Sequence, residues 1–317
     1  MENSRFLVSS SPHIRSGEST KRIMMDVAIA LLPALFAGIW FFGLKALWLT
    51  IVAVGFAVAS EIAMQKIMKR PVTVGDFSAV VTGLLIAFNV PSTLPLWMVA
   101  IGSMFAIIIA KQCFGGVGHN FINPALAARA VLLASWPVDM TTWVQPGVDA
   151  VTTSTPLAIL KGTEAVNQVL PNIMDLFIGN VGGCIGETSA LALLIGGLYL
   201  LYRRVISYRI PVVYISTVGI LAFVFSGFDL TYIPYHVLAG GLLLGAIFMA
   251  TDYSSSPMTP KGQIIFAVGC GLLTTVIRFY GGYPEGVSYS ILLMNIATPL
   301  IDRFTLPRKF GGVKKSA

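Results

Sequence analysis

Long apolar stretches separated by short polar ones dominate the chain. Residues 27–44, 210–228 and 230–251 contain no Asp, Glu, Lys or Arg, and each is long enough to cross the roughly 30 Å core of a bilayer as a helix. Residues 77–110 are uncharged as well, but Pro91 and Pro95 divide them into two spans, since proline interrupts helical hydrogen bonding. The pattern predicts ten spans, at about 24–43, 46–64, 77–91, 96–111, 121–136, 186–202, 210–227, 235–250, 262–279 and 287–302. A β-barrel would show alternating segments of about ten residues instead. The expected fold class is an all-α polytopic membrane protein.

Two stretches break the helical pattern. The first is the run Lys111-Gln112-Cys113-Phe114-Gly115-Gly116-Val117-Gly118-His119-Asn120-Phe121-Ile122-Asn123-Pro124. Glycine at this density in an apolar region marks irregular backbone, tolerated at membrane depth where it is buried or lines a cavity. Pro124 suits the first turn of the helix that follows, with Asn123 as its cap. That helix N-terminus can offer free N–H groups to a polar or anionic ligand, or the glycines can serve close helix packing. The second half repeats the scheme in outline. Gly241-Leu242-Leu243-Leu244 echoes Gly83-Leu84-Leu85-Ile86, and Gly281-Gly282 followed by Asn295 and Pro299 echoes Gly115-Gly116 followed by Asn123-Pro124. Five spans per half would invert the second half relative to the first, a transporter-like architecture of broken helices. The expected organisation is an N-terminal arm (1–22), a first repeat (23–136), a loop (137–185), a second repeat (186–303) and a basic tail (304–317).

Composition agrees with lipid as the main solvent. Only 11% of residues are charged and 56% are hydrophobic, against about 25% charged in soluble domains; mean hydropathy is +0.81. The net charge of +7 could suggest nucleic acid, but its distribution argues otherwise. With both termini in the cytoplasm, all of the 21 Lys and Arg fall on that side except Lys45, Lys161, Arg278 and the intraspan Arg129. This is the positive-inside asymmetry, and it places the loop 137–185 on the outer face. No cleavable signal pattern precedes the first apolar run at Ile23. The three histidines are scattered, and Cys113, Cys184 and Cys270 lack metal-ligand spacing, so all three are expected to be buried, unpaired thiols.

That outer loop carries the densest hydroxyl run, Asp149-Ala150-Val151-Thr152-Thr153-Ser154-Thr155-Pro156-Leu157. Such side chains favour caps and turns over helix interiors, and Pro156 pushes Thr155 towards extended backbone. The residues by themselves support a surface loop entering a short helix at Pro156 or Leu157. Among isolated charges, Arg129 is costly in lipid and is expected to face protein, a cavity or an anion. Asp252 and Asp302 lie at cytoplasmic helix ends, and Glu187 opens the sixth span. No carboxylate is expected in the middle of a span.

Taken together, the glycine-rich 115–129 segment, Phe248-Met249-Ala250-Thr251-Asp252, Pro284-Glu285-Gly286 and Asn295 with Pro299-Leu300-Ile301-Asp302 resemble the RnfD family, the D-type membrane component of the Rnf complex. That complex is the ion-translocating ferredoxin:NAD⁺ oxidoreductase of bacterial cytoplasmic (inner) membranes. A sister family is the B-type component of the Na⁺-translocating NADH:quinone reductase, and the short N-terminal arm favours the former. The resemblance implies a membrane electron-carrying subunit of a translocase coupled to Na⁺ or H⁺ export, with FMN esterified to a threonine of the outer loop. Matching the family's flavinylation motif, Asp149 takes the acid, Thr152 the first hydroxyl and Thr155 the acceptor. Thr153 and Ser154 stand where glycine and alanine are usual. A Thr hydroxyl is a weak nucleophile, so a flavin transferase acting on an exposed, extended strand is implied. The family further implies a non-covalent riboflavin, for which Asn120 and Asn123 are the candidate contacts. Implied partners are the other membrane and peripheral subunits, one of them also flavinylated, and membrane lipid. No CxxC cluster pattern and no nucleotide-binding βαβ unit is present, so binding of ferredoxin or NAD⁺ by this chain is not expected. The competing classes are an inverted-repeat solute channel or transporter and a scaffold that anchors partners.

Overall fold

Ser19 starts the first helix by accepting a hydrogen bond from the Arg22 amide. Helix α1 (Thr20–Phe42) and helix α2 (Leu44–Ile67) then form a hairpin through Gly43, whose φ of 71° suits only glycine comfortably. Helix α1 therefore begins inside the expected arm, because the Ser19 cap stabilises a turn that hydropathy does not register. The computed structural model describes residues 19–147, 153–162, 170–283 and 285–306. Asp149, Thr152, most of the arm and nearly all of the basic tail lie outside them.

The regular structure among the described residues is helical, and an isolated antiparallel bridge pairs Pro91 with Cys184. Helix α3 (Ser78–Phe88) stops before the Pro91–Pro95 break. Helix α4 (Leu96–Phe105) continues as a wider π-type coil to Gln112. Helix α5 (Pro124–Ser135) is capped by Asn123, which accepts from the Ala125 and Leu126 amides at 3.0 and 3.3 Å. Short helices α6 (Pro137–Met140), α7 (Pro156–Lys161) and α8 (Ile173–Ile178) occupy the long loop. Helices α9 (Ala190–Tyr202) and α10 (Arg209–Phe225) follow. Helix α11 (Ile233–Leu238) and helix α12 (Leu242–Leu244, running on to Met249) meet at a 61° bend across Gly240 and Gly241. Helices α13 (Pro260–Tyr280) and α14 (Val287–Thr305) complete the chain.

Three helices, α1, α2 and α13, are long and apolar enough to cross a membrane, and the bent α11–α12 pair makes a fourth if taken as one span. The other apolar helices are shorter. Polarity is distributed as lipid demands. Phe36, Trp40 (85% exposed), Trp48 and Leu198 point outward, while Glu61, Lys111, Arg129, Glu187 and Arg278 are buried. A charge that faces protein avoids the cost of facing hydrocarbon.

The chain after α3 and the chain before α9 lie antiparallel, with the Ile185 amide donating to Val90 O and Gly186 to Phe88 O, both at 3.1 Å. Each break thereby satisfies backbone groups the other exposes. The two ends of the bundle are distinct. The Gly147 amide donates to Phe41 O at 3.3 Å, so residues 137–147 lie at the end where α1 finishes, and the Thr153 amide, bonded to Trp143 O, joins them there. Thr20, Lys111, the glycine segment and Asp252 gather at the opposite end.

Candidate functional site

At the α1-finishing end, the Thr153 amide donates to Trp143 O at 3.0 Å, anchoring the hydroxyl run. Thr155 has φ −68° and ψ 151°, the extended backbone that Pro156 requires, and its hydroxyl accepts from the Ala158 amide at 3.3 Å as the cap of α7. The helix starts where the sequence placed it. The acceptor strand, expected to be exposed, is not: Thr155 is 5% exposed and Ser154 is buried too. Leu157 pulls the segment inward by joining Leu176, Val181 and Ala239 in a small core. A side chain on Gly240 would meet the Leu157 Cδ1 at 2.2 Å, so the missing Cβ makes that seat. The cavity beside Thr155, walled by Glu187, Thr188, Gly240 and Glu285, measures about 20 Å³. That is room for about one water.

Behind that cavity sits a buried charge cluster. Arg129 donates to Glu187 and to Asn89 Oδ1 at 2.7 and 2.8 Å, pairs with Glu285, and lies 3.6 Å from Cys184 Sγ. The expectation that Arg129 faces an anionic group is met, by two carboxylates. Ligand atoms of Cys184, Glu187 and Glu285 lie within 4.8 Å of one another, but the Arg129 guanidinium is already their counter-ion. Sequence pattern assigns Glu285 and Cys184 no place in a site; residues 129, 184, 187 and 285 come from separate segments, and nothing local links them.

At the opposite end, a cavity of about 270 Å³ opens among α1, α3, α5, α9 and the end of the α12 coil, with Lys111, Asn120, Asn123, Phe248 and Asp252 in its wall. Asn120 Oδ1 is buried without a hydrogen-bond partner, whereas the Asn123 side chain is committed to capping α5 and to Met249 O at 3.3 Å. Asp252, just beyond the last turn of that coil, has its carboxyl pushed upward by burial, offset by hydrogen bonds from Ser254 and Ser255. Lys111, counted from sequence among the cytoplasmic charges, is 2% exposed. Its ammonium sits 2.8 Å from Glu61 and 2.7 Å from Ser78 Oγ, and Gln112 donates to Glu61 at 2.8 Å. The widened π-type coil presents Lys111 and Gln112 together towards α2. Cys184 and Cys270 are buried free thiols as expected, but Cys113 is exposed, because it ends that coil where the glycine run turns outward.

Residues 7–311 match the NQR2, RnfD, RnfE family. The chain belongs to this family. It is 58% identical to the D-type component of the Na⁺-translocating ferredoxin:NAD⁺ oxidoreductase complex of Acetobacterium woodii, over 99% of this chain and 98% of that protein. It is 51% identical to the same component of the proton-translocating complex from Clostridium ljungdahlii, over 96% of both. The corresponding component of an ion-translocating oxidoreductase complex from Halorhodospira halophila is 38% identical, again over 96% of both. As an NQR2, RnfD, RnfE family member the chain can be tested for the two flavins its sequence resemblance implies. For a phosphate ester on Thr155 the acceptor chemistry is present, a hydroxyl on extended backbone before proline, but the cavity of about 20 Å³ beside it has no room for the group. For a flat heteroaromatic ring, the 270 Å³ cavity with its orphaned Asn120 oxygen is compatible in size and polarity.

Proposed function

We propose that the chain is the RnfD membrane component of an ion-translocating ferredoxin:NAD⁺ oxidoreductase complex in a bacterial cytoplasmic membrane. In this reading ten spans form two inverted five-helix halves, both termini are cytoplasmic, and the Thr155 loop lies outside. FMN is esterified to Thr155 by a flavin transferase, and a riboflavin occupies the 270 Å³ cavity against Asn120. The flavins supply redox chemistry, while the chain sets their position and surroundings. Its partners are the other membrane and peripheral subunits, including a second flavinylated one. The carrying observation is that two candidate polar sites, Thr155 and the Asn120 cavity, sit at opposite ends of one bundle. Near-full-length similarity to relatives from complexes named for Na⁺ and for H⁺ supports the reading without choosing the ion.

Mass spectrometry of the chain co-expressed with a flavin transferase tests it. An FMN-sized increment on the wild type, kept in Thr155→Ser and lost in Thr155→Ala, is expected. An increment that survives Thr155→Ala moves the acceptor to Thr153 or Ser154; no increment at all removes the covalent flavin. A solute channel is the second reading, favoured by the broken α11–α12 helix. Solute flux through proteoliposomes holding the flavin-free chain alone would replace the redox role.

A further inference from the structure

A second outer cleft remains unused by that reading. It lies between α7, α10, α11 and α13, measures about 390 Å³, and is walled by Leu157, Leu160, Lys161, Phe225, His236 and Arg278 among others. Arg278 is 4% exposed. Its terminal nitrogens donate to the carbonyls of His236, Ala239 and Gly240, closing the end of α11, while its Nε has no partner. His236, 7% exposed, stacks on Phe279 with ring centroids 5.1 Å apart and leaves its Nδ1 unpartnered. Lys161 donates to the carbonyls of Gly281 and Tyr283. Among the described residues, neither Lys161 nor Arg278 pairs with a carboxylate.

We propose that this cleft binds the phosphate-bearing headgroup of an anionic phospholipid. The cleft wall brings the Arg278 guanidinium and the Lys161 ammonium together without a carboxylate, and a phosphate at its mouth supplies the missing negative charge. The surroundings select an amphiphile over a free anion. Phe228, Leu230 and Tyr280 are strongly exposed at the adjoining helix ends, where aromatic and apolar side chains meet the interface of a bilayer. Acyl chains can run down that rim while the headgroup stays in the cleft. Basic pockets between spanning helices bind anionic headgroups on the cytoplasmic side of membranes, and the same pairing of cation with phosphate operates at an outer cleft. Thr155 is not part of the cleft wall and lies at the other end of α7.

Native mass spectrometry of the intact complex, released in mild detergent from nanodiscs of phosphatidylcholine with or without phosphatidylglycerol, tests this. The wild type should retain a phosphatidylglycerol molecule in preference to phosphatidylcholine. Lys161→Gln should lower its occupancy about fivefold, the worth of one cation near an anionic headgroup, and Lys161→Glu further. Arg278 also closes α11, so Lys161, on the cleft's accessible side, is the primary variant. As a second readout, phosphatidylglycerol should raise the thermal midpoint of the wild type and not of Lys161→Glu. Equal retention of both lipids, or undiminished retention in Lys161→Glu, overturns the proposal. So does loss of the lipid on flavinylation of the wild type with its persistence in Thr155→Ala, which would assign the cleft to the tethered flavin.

Discussion

Thr155 serves the fold and the proposed chemistry with the same oxygen. As the cap of α7 its hydroxyl is a hydrogen-bond acceptor for Ala158; as an ester it would become a bridging atom with reduced acceptor strength. Thr155→Ala should cost about 1 kcal/mol through the lost cap and abolish FMN attachment. Thr155→Ser should keep both, so paired melting and mass measurements separate the two roles. Arg129 is a different case. Its charge is balanced by Glu187 and Glu285 at a depth where a lone charge is costly. Arg129→Leu should destabilise the detergent-solubilised chain by about 3–5 kcal/mol, because two carboxylates lose their counter-ion. Glu285→Gln should cost less than Glu187→Gln, since Glu285 retains 17% side-chain exposure against 4%. Equal melting of all three variants and the wild type would refute a structural triad.

Elements impose the next constraint. Helix α7 is six residues long, held by Leu157 against Leu176, Val181 and Ala239. A transferase cannot reach the 5%-exposed Thr155 until that helix lifts, so attachment should proceed through an opened form. Leu157→Ala, which weakens the seat while leaving the acceptor intact, should speed attachment several-fold at limiting transferase. An unchanged rate would mean that docking of α7 is not the barrier. The α11–α12 bend depends on Gly240 and Gly241, both at φ +68°, a region that costs other residues about 1–2 kcal/mol. A Cβ on Gly241 would also meet the Glu187 carboxylate at 2.4 Å. Gly241→Ala should therefore destabilise the fold and disturb the Arg129 triad together, visible as non-additive melting with Glu187→Gln.

At the scale of the molecule, the helical bundle keeps its two polar regions at opposite ends, and the proposed topology puts the Thr155 end outside. The native cysteines report on this directly. Cys113 is exposed at the glycine-run end, and Cys184 and Cys270 are buried. A membrane-impermeant maleimide should leave Cys113 unlabelled in intact spheroplasts and label it in inverted vesicles. A cysteine placed at Lys161 should show the reverse. The opposite pair of results would invert the topology and move the Thr155 loop to the cytoplasm.

The all-helical class, the proline and glycine breaks, the Asn123 cap, the helix start at Pro156 and the burial of Arg129 were legible in the sequence. Each depends on neighbours within a few residues, or on hydropathy over about twenty. The acceptor strand was legible as extended backbone but not as buried, since the seat for Leu157 is made by Gly240, far along the chain. The pairing of Lys111 was not legible, because its partner Glu61 lies 50 residues back on another helix. The union of Arg129 with Glu187, Glu285 and Cys184, and the orphaned nitrogens of His236 and Arg278, belong wholly to tertiary structure. Local pattern decides which segments bury themselves; only packing decides which buried charges meet, because in a low-dielectric interior each must find its partner across the fold.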